Sequence, residues 1–78
     1  MSKKVNVYVE NGWGSITRSM VGLNSVTQIM CVKSNGIYWA LGRYDNTGNY
    51  RVLMVGRNNN TLVCNITGTF EVEVYYHN

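Results

Sequence analysis

The chain has 78 residues, a net charge of +3 and only 14% charged residues against 45% hydrophobic ones. That is room for one domain, of the size that buries roughly 60% of the surface its unfolded form exposes. The charges are scattered, which excludes a polybasic tail for nucleic acid or membrane, and no apolar run approaches the ~20 residues of a membrane-spanning helix.

The opening MSKKVNVYVENG has a basic start without the apolar stretch of about 7 to 15 residues that a secretion signal needs. The expected location is therefore cytoplasmic. Val5, Val7 and Val9 then alternate with Asn6 and Tyr8, the period of a strand with one buried face. ENGWG follows as a turn, with Asn and Gly suited to positive φ. The runs 15 to 21, 26 to 32, 37 to 43, 50 to 56 and 61 to 66 are rich in β-branched and aromatic residues and are read as further strands. Turn chemistry separates them: VGLN, KSNG, DNTGN, RNNN and TG. A last alternation, Phe70, Val72, Val74 and Tyr76 against Glu71, Glu73 and Tyr75, closes the chain. About seven short antiparallel strands and no helical periodicity predict an all-β fold, a small sandwich or barrel.

MVGLNSVT at 20 to 27 and MVGRNNNT at 54 to 61 stand 34 positions apart. At that offset Gly14, Met20, Val21, Gly22, Asn24 and Thr27 meet Gly48, Met54, Val55, Gly56, Asn58 and Thr61. The expectation is a single domain over 1–78 made of two pseudo-repeated halves, 3–34 and 37–77, that pack into one core.

VNVYVENGWGS followed by NSVTQIMCV resembles the first Greek-key motif of βγ-crystallin-type domains, with Tyr8 and Trp13 five positions apart and Gly14 beside the second aromatic. YDNTGNYRVL and TFEVEVYY resemble strands of the second motif. The resemblance implies calcium as a metal. Its candidate ligands would be Asn24, Ser25 and Thr27 in one half and Asn58, Asn59 and Thr61 in the other. They offer neutral oxygens where calcium favours carboxylates, so the expectation is no bound metal and no cofactor.

Nothing in the chain assembles an active centre. The single histidine, His77, is next to last, where preorganisation is poor. Glu71 and Glu73 lie on one strand face about 7 Å apart and read as a solvated surface. Glycosidase carboxylates instead face each other across a cleft. Cys31 and Cys64 sit in apolar runs, QIMCV and TLVCN, which leaves two buried thiols or one disulfide open. The sequons at Asn59 and Asn65 matter only in a secretory pathway.

Tyrosine and arginine carry the binding signal. In GRYDNTGNYR, Arg43 and Tyr44 are expected to face Tyr50 and Arg51 across a hairpin, with Trp13 as a second anchor. These residue types dominate protein interfaces, and they also form base-stacking grooves for single-stranded nucleic acid on β-barrels. The reading is a non-catalytic module that binds a protein partner, as an inhibitor or accessory protein of a phage or other mobile element would. Single-stranded nucleic acid is the alternative, and calcium or a sugar held by Trp13 and the Asn-rich loops ranks below it. Homodimerisation stays open.

Overall fold

The structure is a computed structural model that describes residues 1–34, 37–44, 50–58, 61–62 and 66–78, and for 37–38, 43–44, 58 and 61–62 the backbone alone. Its first unit is a hairpin of β1 (Ser2–Glu10) and β2 (Trp13–Thr17). The two residues between them, Asn11 and Gly12, have φ of 53° and 83°, the two left-handed positions that a tight turn matched to strand twist requires. Gly14 lies opposite Val9, and a Cβ there would stand 3.1 Å from Val7 Cγ1 and 3.2 Å from Val9 Cγ2. Glycine is what lets β2 approach β1 so closely.

Where the sequence predicts a second strand running to residue 21, β2 ends at Thr17 and a single helical turn, α1 (Arg18–Val21), follows. The Thr17 amide donates to Met20 Sδ at 3.3 Å. Gly22, at φ 77°, ends the turn in the left-handed conformation. Residues 26 to 28, also read as strand, form a 3₁₀ turn, Val26–Gln28. It is capped reciprocally: Ser25 Oγ accepts from the Thr27 amide, while Gln28 Oε1 accepts from the Ser25 amide at 3.0 Å. The chain then enters β3 (Ile29–Ser34), β4 (Ile37–Tyr44), β5 (Arg51–Asn58), β6 (Thr61–Leu62) and β7 (Gly68–Tyr76).

The strands pair in the order β2, β1, β7, β3, β4, β5, and β5 returns to β2, closing an antiparallel barrel of six strands. The two-residue β6 attaches to the end of β5 outside the ring. Among the described residues, nine of the thirteen buried apolar side chains are valines. Their single preferred χ1 suits the narrow bore of a small barrel. Trp39, 2% exposed, is the largest fully buried side chain among the described residues and meets Phe70 with ring centroids 6.3 Å apart. Val21 from α1 and Val26 from the 3₁₀ turn complete the core.

The repeated phrase does not fold into a repeated element. Met20, Val21 and Gly22 end a helical turn, whereas Met54, Val55 and Gly56 lie within β5. Strand pairing also ignores the division at 34: β7 pairs with β1 and β3, β3 with β4, and β2 with β5.

Candidate binding face

Barrel closure gives the exterior two sides of different chemistry. On the β2, β5 and β4 side, the register sets Trp13 opposite Val55, and Val55 opposite Ala40. Trp13 is 49% exposed, whereas Val55, also facing outward, is only 7% exposed. The indole explains the difference. Its Cζ3 lies 3.8 Å from where a Cβ on Gly42 of β4 would sit, so the ring crosses β5 from the strand on one side to the strand on the other. Half of its surface remains open to solvent. Gly42 itself lies where the β4 register shifts between Leu41 and Arg43, a bulge that locally bends the strand.

The backbone holds Trp13 in place through the turn before it. Gly12 donates to the Ile66 carbonyl at 2.8 Å and accepts from the Gly56 amide at 3.0 Å. The Asn11 amide donates to Thr67 Oγ1 at 3.1 Å. The hairpin tip is thus tied both to β5 and to the segment entering β7, which anchors the aromatic on a rigid element.

Four residues further along β2, Thr17 faces Arg51, about 13 Å from Trp13 by strand rise. Arg51 is exposed. Tyr50 beside it is 55% exposed, and the Arg18 guanidinium lies over its ring, 5.1 Å from the centroid. The Arg18 amide donates to the Tyr50 carbonyl at 2.8 Å, and Arg18 Nη1 donates to the Asn24 carbonyl at 3.2 Å. Arg57, half-buried, continues the cationic series two residues beyond Val55.

The expected facing of Arg43 and Tyr44 with Tyr50 and Arg51 is corrected in register. Arg43 lies opposite Leu53 and Tyr44 opposite Val52, with the register shifting between Leu41 and Arg43; residues 45–49 and the side chains of Arg43 and Tyr44 lie outside the described residues. Trp13, Tyr50 and Arg51 share this side of the barrel. Arg18 belongs to the arginines that the sequence interleaves with tyrosines, but its place over the Tyr50 ring and the outward pair Leu53 and Val55 were missed. The unbroken apolar run VLMV at 52 to 55 was the available signal, since a strand without alternation is covered on both faces.

The opposite side, formed by β1, β7 and β3, is polar and charge-balanced. Lys4, Glu73 and Lys33 lie in one row across the three strands. Glu73 accepts from Ser2 Oγ at 2.9 Å and from the Tyr75 hydroxyl at 3.0 Å. These hydrogen bonds, with Lys4 and Lys33 nearby, hold its carboxyl below the usual glutamate range. Donation to that carboxylate raises the Tyr75 phenol, over whose ring Lys33 Nζ lies 5.0 Å from the centroid. Glu71 and Glu73 line an open depression of about 520 Å³ together with Lys4, Lys33, Ser34 and Val72. The lining mixes both charges and holds no facing carboxylate pair.

The calcium candidates of the first half are occupied with shaping the chain. Ser25 Oγ and Thr27 Oγ1 are 2.9 Å apart, and the Asn24 amide donates to Gln28 Oε1 at 3.0 Å. Asn59 and the side chains of Asn58 and Thr61 lie outside the described residues, as does Cys64; Cys31 is a free, half-buried thiol. Among the described residues, no three His, Cys, Asp or Glu side chains gather as metal ligands, and no helix is long and apolar enough to cross a membrane. Comparison with protein-family models, with curated proteins and with solved structures finds no match.

Proposed function

We propose that the protein is a non-catalytic binding module that engages a protein partner through the β2, β5 and β4 side of the barrel. The observation that carries this reading is the half-exposed Trp13, laid across β5 onto Val55 and anchored by the backbone bonds of Gly12. A rigid aromatic at the centre of a patch loses little conformational entropy on binding, and such residues, with arginine, carry most of the energy at protein interfaces. Tyr50 and Arg51 stand at the far end of the same side and supply a polar rim. A partner blocked or decorated in this way fits an inhibitor or accessory protein of a phage or mobile element.

The test is capture of the binding partner by tagged protein from lysate of its own host, with and without nuclease, with the wild type compared against Trp13→Ala combined with Arg51→Ala. One stoichiometric, nuclease-resistant protein that the double variant fails to retain, while its melting temperature holds, supports the reading. Ribonucleoproteins that vanish with nuclease, and binding that falls steeply with salt, would replace it with single-strand recognition by the same aromatic and arginine residues.

A further inference from the structure

With Val52 and Met54 in the core, the outward residues of β5 fall in one line: Arg51, Leu53, Val55 and Arg57. By strand rise Arg51 stands about 13 Å from Val55 on one side and Arg57 about 7 Å on the other, so an apolar stretch separates two guanidinium groups about 20 Å apart. Arg51 is exposed and Arg57 half-buried. Among the described residues, neither side chain has an ion pair, a hydrogen bond or a ring contact, whereas Arg18 is engaged by the Tyr50 ring and the Asn24 carbonyl. The strand neighbours of the two arginines are uncharged: Thr17 beside Arg51, and Tyr38 and Leu62 beside Arg57. Of the four acids in the chain, Glu71 and Glu73 belong to the opposite side of the barrel and Asp45 lies outside the described residues. Glu10 is on β1 opposite Trp13, across the indole from β5.

We propose that this side takes an extended acidic segment of its partner along β5, a proposal that rests on reading the side as a protein-binding face. An apolar side chain of the segment packs on the open face of the Trp13 indole, and a carboxylate meets each of Arg51 and Arg57. The charge follows from desolvation. A partner that covers the indole also reaches Arg57 about 7 Å away, and removing water from a guanidinium without an acid in its place is costly. A carboxylate restores the lost bonds, since it accepts two parallel N–H bonds from the arginine fork. The extended form follows from the line itself. A strand-like segment advances at the same rise as β5, so its acids fall about four residues to one side of the apolar anchor and about two to the other. Glu10 repels such acids on the β1 flank and keeps them over β5. A nucleic-acid strand fits less well, because it carries a charge at every nucleotide where β5 offers cations only at the ends of an apolar stretch.

The experiment is an NMR titration of the full chain with two capped peptides, acetyl-Glu-Ser-Gly-Ser-Leu-Ser-Glu-amide and its counterpart with Gln in place of both Glu, and with oligothymidylate. The acidic peptide should shift the Trp13 indole N–H and the amides of 51 to 57, leave the buried Trp39 indole in place, and bind about fivefold more tightly than the Gln peptide, as two partly exposed ion pairs allow. Arg51→Gln combined with Arg57→Gln should abolish that difference and leave the affinity for the Gln peptide unchanged, a cycle that separates charge pairing from any general loss of structure. The proposal is overturned by equal affinity of the two peptides, by a difference that survives the double variant, by thymidylate binding more tightly than the acidic peptide at the same signals, or by no shift of Trp13 at peptide concentrations of several millimolar. Its failure is distinguishable from failure of the protein-binding reading. Equal peptide affinities that Trp13→Ala abolishes remove the acidic segment and keep the face, whereas acidic-peptide binding that Trp13→Ala leaves untouched removes both.

Discussion

The two sides of the barrel are built from strands of similar length and twist, yet their outward residues obey different rules. On β1, β7 and β3, the outward cations Lys4 and Lys33 each have an acid or an aromatic ring beside them: Lys4 next to Glu73, and Lys33 next to Glu73 and over Tyr75. On β2, β5 and β4, outward Val55 is withdrawn from solvent opposite Trp13 and Leu53 is half-buried, with Arg51 and Arg57 on the same strand. The first arrangement satisfies itself internally and has little to gain from a partner. The second leaves half an indole exposed over an apolar floor, the kind of site where further burial of apolar surface is worth about 25 cal/mol per Å².

Trp13→Ala should break this contrast most strongly, weakening partner binding by about 2 kcal/mol or more, roughly thirtyfold, as truncation of a central aromatic does. Titration calorimetry with the captured partner measures it, and Tyr8→Ala on the balanced side is the control expected to leave that affinity unchanged. Gly14→Val should come next, at about 1 to 3 kcal/mol of folding stability. Its side chain must enter the space already held by Val7 Cγ1 and Val9 Cγ2 at little more than 3 Å from a Cβ. Chemical denaturation reads the loss, and a shifted Trp13 fluorescence would show that the hairpin carrying the site has moved with it.

Smaller effects sharpen the contrast. Arg18→Ala removes the guanidinium over Tyr50 and should cost about 0.5 to 1 kcal/mol, visible as a small drop in the urea midpoint. The pH dependence belongs to the other side. Glu73, held below the usual glutamate range by Ser2 and Tyr75, contributes stability that is present above an ordinary glutamate pKa of about 4.3 and is lost as pH falls through its lowered value. Tyr75 works in the opposite sense: its raised phenol contributes below about pH 10 and loses that contribution as pH rises through its folded value. Both side chains are only partly buried, so the effect is small and screened by salt. Glu73→Gln should flatten the acid limb of a stability-against-pH curve, while Trp13→Ala should leave its shape unchanged.

Much of the ladder was legible because strand period and turn chemistry are local. Val5, Val7 and Val9 declare one buried face, and Asn11-Gly12 declares a two-residue hairpin. Two departures show where locality ends. Ser25-Val26-Thr27-Gln28 carries the spacing of a reciprocal cap, a legible signal that an apolar run masked. Met-Val-Gly at 20 to 22 and at 54 to 56 is the same tripeptide in a helical turn and in a strand, since its own preference is weak beside the packing each site offers. For the binding side, Trp13, Tyr50 and Arg51 were visible by residue type. Their separation along β2, and Val55 opposite the indole, were not.

By itself, then, the sequence determined the all-β class, the hairpin turn, the valine-rich inner face and the aromatic and arginine residues available for recognition. Those follow from backbone geometry and side-chain chemistry within a few residues. Which strands became neighbours was decided only in three dimensions. The pairing of β2 with β5 and of β7 with β1 joins residues tens of positions apart, and it is selected by how the inner side chains fill one narrow barrel. That closure laid Trp13 over Val55 and turned β2 away from β1 into α1.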